Sequence, residues 1–298
     1  MSFKHHFLTV SVIGILASSC GDGSNQSKSD NVEVTKEAKS EEAGALIEIE
    51  GKMFSFPSPV QTAILIKEVG GNYDATILNA SSSATKYSTS FKKAINLGIY
   101  GADLGYVTIY EQPQDAISYL GAVKMLSGDL GVSGAFDKSL LERFEKNVGN
   151  KDSLLVLVAD AFKASDAFLK KNDRSDVGAL VLAGGWVESL YFSTLEAEKT
   201  GNQDVITRIG AQKNTCNNLI KLMMPYYNKS EYTLFIDQLM ELNDVFTGIE
   251  IVYTYKESTT DEANKKTKIN SVTDIRVSKE QLDDITGKIK NIRQELIS

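Results

Sequence analysis

"NLGIYGADLGYVTIY" (Asn96–Tyr110) places Gly98, Gly101 and Gly105 inside a stretch that otherwise reads as helix. A glycine in a helix interior costs ~1 kcal/mol relative to alanine. Three of them need a reason, and a second backbone passing too close for a Cβ supplies one. "LAGGWVESLYF" (Leu182–Phe192) repeats the oddity with Gly184 and Gly185. The spacing predicts two helices that cross at their glycines, with Gly101 at the contact.

Around those glycines, Tyr100, Asp103, Tyr106 and Tyr110 recur at helical spacing, which puts Asp103 on a tyrosine-lined face. In the second stretch Trp186, the one tryptophan of the chain, is followed by Glu188 and Tyr191. Two readings fit. Tyr100, Asp103, Tyr106, Trp186, Glu188 and Tyr191 line a polar-aromatic pocket for a small molecule or peptide, in which Asp103 and Glu188 could act as an acid/base pair. Alternatively they form plain core, each carboxylate accepting a tyrosine hydroxyl.

Working outward, the punctuation is helical. Ser58-Pro59 opens a short helix through Val69. Asn79 to Ser90 reads as an exposed Ser/Thr-rich loop. Long helices are expected over Phe91–Gln112, Pro113–Leu130 with Gly131 closing it, Ala135–Val148, Ser153–Lys171, Asp176–Thr200, Gln203–Tyr227 and Glu231–Thr247. Short breaks such as "NDRSD" and "GN" favour antiparallel neighbours. Pro225 should kink or close its helix, and Cys216 falls on an apolar stripe as a buried, unreactive thiol.

After Gly248 the period changes. "IEIVYTY" (Ile249–Tyr255) and "KINSVTDIRV" (Lys268–Val277) are β-branched and aromatic, and the polar segment between them makes a long hairpin loop. Ser278 with Gln281 forms a capping box. Leu282, Ile285, Ile289, Ile292 and Leu296 then make one helical stripe, at spacings of 3, 4, 3 and 4, that packs on the body. The fold class is mainly α: a multi-helix antiparallel bundle with a small C-terminal β-hairpin followed by a final helix.

The N-terminal end gives an address. Lys4, His5 and His6 precede an apolar run, Phe7 to Ala17, too short to span a bilayer. Ala17, Ser18 and Ser19 lead directly to Cys20. The arrangement resembles a bacterial lipoprotein signal, with Ala17 where leucine is usual. The resemblance implies cleavage before Cys20 and acylation of its thiol and amino group, hence a lipid-bilayer anchor of two or three chains. An ordinary secretory signal, leaving Cys20 as a free thiol, is the plainer alternative. Gly21 follows the cysteine directly, so by resemblance the outer membrane is the default address. The chain divides into a signal peptide (1–19), acylated Cys20 with a flexible polar tether (20–52), and a single helical domain (53–298).

Composition narrows the chemistry. The chain carries net charge −7, or −8 once Lys4 leaves with the leader. An acidic chain with no basic run is a poor nucleic-acid binder. Both histidines, His5 and His6, lie in the leader. The mature chain thus lacks a Ser-His-Asp or Cys-His site, a histidine-ligated zinc and a proximal-His haem. No metal or cofactor is expected, and oxygen-only calcium or magnesium is the outer limit.

Short motif matches are weak. Ser90-Phe-Lys-Lys93 and Lys199-Thr-Gly201 match elements of penicillin-recognising enzymes but read better as a helix surface and a C-cap. Asn172–Asp176 looks like part of a calcium loop yet lacks its glycine and closing glutamate.

The body, carried by Asn96–Tyr110 and Leu182–Phe192, resembles lipoproteins of Bacteroidota, a resemblance that implies an address and no activity. Two expectations follow: a membrane-anchored, non-enzymatic accessory protein that contacts another envelope protein, or a binding protein with a ligand between its helices.

Overall fold

The computed structural model describes residues 45–49, 52–133 and 174–298 except 263, with a few positions between 142 and 157. Cys20, the acylation signal, most of the 20–52 segment, and nearly all of the helices expected over Ala135–Val148 and Ser153–Lys171 lie outside the described residues. Helices dominate the rest. They are α1 (Pro59–Glu68), α2 (Ser90–Ile109), α3 (Pro113–Asp129), α4 (Ser175–Thr200), α5 (Gln203–Gly210), α6 (Lys213–Met223), α7 (Ser230–Thr247) and α8 (Lys279–Ile297). No helix among the described residues is long and apolar enough to cross a membrane.

The glycines do set the central packing, though one turn from where the sequence put it. α2 packs most extensively on α4. A Cβ on Gly98 would sit 1.9 Å from the Val181 carbonyl oxygen, and one on Gly184 would sit 1.9 Å from that of Ile95. The backbones touch at Gly98 and Gly184, while Gly101 is only half-buried and Gly105 faces Val60 of α1. From Gly98 beside Val181 to Tyr106 beside Phe192, whose rings lie 5.0 Å apart, the two helices run in the same direction. α2 and α3 are antiparallel, Lys93 near the start of α2 meeting Asp129 at the end of α3, and so are α7 and α8, where Gln238 meets Glu295 and Glu241 meets Lys288.

Two segments depart from the sequence reading. Asn79–Ser90 is exposed at most of its positions, as expected, but is not a plain loop. It holds a 3-10 turn over Ser81–Lys86, preceded by another over Ala75–Ile77, and Asn79, Ala84 and Tyr87 are buried. Gln203–Tyr227 is not one helix but α5, α6 and a 3-10 turn at Met224–Tyr226, where Pro225 closes the run. The break between α5 and α6 has two causes. Gly210 gives way to the Ile275 and Val277 methyls, 2.6 Å from where its Cβ would stand. Gln212 turns inward, accepting the Trp186 indole N–H at 3.0 Å.

The C-terminal elements follow the sequence closely. β3 (Glu250–Thr254) pairs antiparallel with β6 (Val272–Arg276), Ile251 opposite Ile275. Between them β4 (Thr259–Asp261) and β5 (Lys266–Lys268) form a second small ladder, numbered here after an N-terminal pair. That pair, β1 (Ala45–Ile49) with β2 (Lys52–Phe56), puts a strand inside the stretch read as tether. Ser278 and Gln281 make the reciprocal capping box that starts α8. Ile285, Ile289, Ile292 and Leu296 are buried against α4 and α7, with Leu282 partly buried at the rim.

Candidate functional site

The centre of the fold is polar, and α8 supplies its key charge. Arg293 lies one position past Ile292 on the buried face. Its Nε donates to Glu188 Oε2 and its Nη2 to Glu188 Oε1, both at 2.7 Å. Nη2 also donates to the Ile77 carbonyl at 2.8 Å. The Tyr191 ring covers the guanidinium, 4.2 Å from its centroid. Burial alone would lower the guanidinium's affinity for its proton; the Glu188 carboxylate against it outweighs that and raises it.

Asp103 of α2 completes the cluster. It is fully buried, as is Glu188, and neither of its oxygens takes a hydrogen from any described donor. Its neighbours are the Glu188 carboxylate, the Arg293 guanidinium and the Asn79 main-chain N–H, the last short of hydrogen-bonding geometry. Burial first, then the charge of Glu188, holds the Asp103 carboxyl well above its ordinary value.

A seam of polar groups continues from this cluster to the end of α8. Asn79 Nδ2 donates to Tyr87 Oη at 2.9 Å and to Asn96 Oδ1 at 3.2 Å. Asn96 Nδ2 donates to the Leu296 carbonyl at 2.9 Å, and Lys92 donates to the Glu295 carbonyl. The last carbonyls of a helix have no partner within it; here α2 side chains provide them.

The six residues singled out in the sequence are therefore divided. Asp103, Glu188 and Tyr191 meet around Arg293. Tyr100 is buried nearby and donates to the Ala80 carbonyl at 2.9 Å. Tyr106 is engaged elsewhere, its hydroxyl accepting from the Asp74 N–H at 3.1 Å within a cluster with Tyr73 and Tyr110. Trp186 is committed to Gln212. All are buried except Tyr191, which is half-buried. Neither carboxylate accepts a tyrosine hydroxyl, because the arginine has taken Glu188.

Arg293, Asn79 and Asn96 were missed by sequence reading. Arg293 had a signal: it stands four residues after Ile289 and three before Leu296, on the apolar side of its helix. Cys216 is buried with its thiol pushed up to about 12 by burial. Ser90 and Lys93 begin α2, where Lys93 pairs with Asp129 at 2.7 Å. Gly201 caps α4 in the left-handed conformation, φ 63°. Groups of acidic, histidine or cysteine residues able to hold a metal are absent among the described residues. Comparison with known proteins finds no matching family model, no matching curated protein and no matching solved structure.

A second feature faces outward. Along one face of the strand that leaves the core, exposure climbs from 2% at Ile249 to 39% at Ile251, 64% at Tyr253 and 73% at Tyr255. Val272, which pairs with Thr254 and so points to the other face, is 50% exposed, and Ile269 in the connection is 76% exposed. The base of this ribbon packs on Gly210 of α5 through Ile275 and Val277, and its outer half stands clear of the helices.

Proposed function

We propose that this chain is a membrane-anchored lipoprotein of the cell envelope, held by acylated Cys20, whose helical body is a non-enzymatic accessory module that binds another envelope protein through the β3/β6 ribbon. The observation that carries the reading is the march of apolar side chains out of the core along that ribbon. A two-stranded ribbon is marginal by itself in water, and each of its strands has an open edge among the described residues. Apolar groups on both faces suit insertion into a cleft of the partner rather than contact with a flat surface.

The alternative, a small molecule or peptide held between the helices, would need access to the polar centre, and its extension to carboxylate-based hydrolysis would need access to Asp103 and Glu188. Both are fully buried, and Glu188 is occupied by Arg293.

The test is a pull-down of the detergent-solubilised full chain beside Cys20→Ala and a Tyr253→Ser/Tyr255→Ser/Ile269→Ser variant. A near-stoichiometric envelope partner retained by the wild type and lost from the ribbon variant supports the reading. A partner retained equally by the ribbon variant, or none at all, sinks it. Weaker recovery with Cys20→Ala would tie docking to the anchor.

A further inference from the structure

We propose that Asp103 is held as the neutral acid and donates its hydrogen to Glu188, so that two carboxyls and one guanidinium form a net-neutral, proton-dependent clasp joining α2, α4 and α8. The geometry favours this arrangement. Asp103 is fully buried, both its oxygens lack a described donor, and a carboxylate stands beside it. Arg293 has already directed Nε and Nη2 to Glu188 and to the Ile77 carbonyl. A second bare negative charge here would be buried without a matching cation, which is strongly disfavoured. One hydrogen on Asp103 converts two facing acceptors into a donor and an acceptor. It leaves one negative charge against one positive.

The other titratable groups facing Asp103 are tyrosines: Tyr100 on α2 itself, Tyr119 from α3, and Tyr73 and Tyr87 from the segments around the 3-10 turns. Each is shifted toward its neutral form, chiefly by burial. Across the neutral range, Glu188 and Arg293 are thus the charges that act on Asp103.

Pairing through a shared proton makes the clasp pH-sensitive, with a definite sign. The folded chain holds a proton that the unfolded chain releases near the ordinary value of 3.8. The contribution of this site to stability is full below that value. It declines as pH rises and is lost once pH passes the raised folded value. Beyond that point the Asp103 and Glu188 carboxylates repel each other across one guanidinium, and the packing of α2 on α4 is what loosens.

Infrared spectroscopy of the full chain in detergent tests the proposal through the C=O stretch of protonated carboxyls. At pH 7 the folded wild type should show such a band, and unfolding should remove it. Asp103→Asn should fold and lack the band, because its amide can donate to Glu188 without a proton. Glu188→Gln should lack it too although Asp103 is intact, since Asp103 then ionises as the sole carboxyl facing Arg293. Hydrogen exchange within Ser90–Ile109 and Ser175–Thr200, corrected for the intrinsic pH dependence, should accelerate with rising pH in wild type and stay flat in Asp103→Asn. A band absent from the wild type at pH 7 would overturn the proposal. So would a band unchanged in whichever of the two variants folds, or an equal pH dependence of exchange in α2 and α4 in wild type and Asp103→Asn.

Discussion

Arg293 is the residue on which the charge balance of the interior depends, because it is the cation against which Glu188 is buried. Breaking a buried ion pair by removing one partner typically costs ~3–5 kcal/mol, whereas replacing both with apolar groups is often close to neutral. Arg293→Met should therefore lower urea-determined stability by about 3–5 kcal/mol, and adding Glu188→Met should recover most of it. If the double variant is no better than the single, the loss came from packing and not from a stranded carboxylate. Cys216 behaves in the opposite sense, as a group with no role in charge. With its thiol pushed up to about 12, it should resist DTNB and iodoacetamide in the native protein at pH 8 and react only on unfolding. Rapid labelling of folded protein would contradict that burial.

At the scale of elements, the glycines divide into two kinds that should answer alanine substitution with opposite sign. At Gly98 and Gly184 a Cβ meets a carbonyl oxygen of the facing helix, and neither backbone can yield. Gly98→Ala should cost ~3 kcal/mol or more, at the upper end of overpacking penalties. Gly121 in α3 and Gly287 in α8 have nothing within 4 Å of the added atom, so alanine there should stabilise by ~0.5–1 kcal/mol. Thermal midpoints of the three variants compared with wild type settle the matter; a mild Gly98→Ala would mean the helices can slide apart.

These same elements show what the sequence made legible. The close crossing was readable because glycine inside a helix is unfavourable and so demands an explanation. The α8 stripe and its capping box were readable because both are set by residues three and four apart. The break at Ala211–Gln212 was not, since its causes are Ile275, Val277 and Trp186, all distant in sequence. The burial of Asn79 and Tyr87 was hidden for a similar reason: their partner Asn96 and the α8 carbonyls lie on other elements. The β1/β2 pair did carry a local sign, "EG" between two short β-prone runs, inside a stretch whose polar composition pointed elsewhere. In the site, the carboxylates stood out by type, and a charge set on the apolar stripe marked Arg293, but nothing local names the carboxylate it meets 105 residues away.

Taken whole, the domain is closed from its far end. α8 contributes the cation for Glu188, the apolar stripe that packs on α4 and α7, and carbonyls that accept from Lys92 and Asn96. A chain stopped before Lys279 should lose cooperative unfolding in urea, while the ribbon variant should keep the wild-type thermal midpoint because its substituted side chains are largely exposed. Cooperative melting of the shortened chain would show that α2 and α4 are self-sufficient.

The separation of 105 residues between Glu188 and Arg293 also sets a clock. At cellular rates of synthesis the arginine emerges roughly 5–20 s after the glutamate. Throughout that interval the central helices carry a carboxylate that is unfavourable to dehydrate, and the nascent chain is kept from collapsing into a finished core before its last helix arrives.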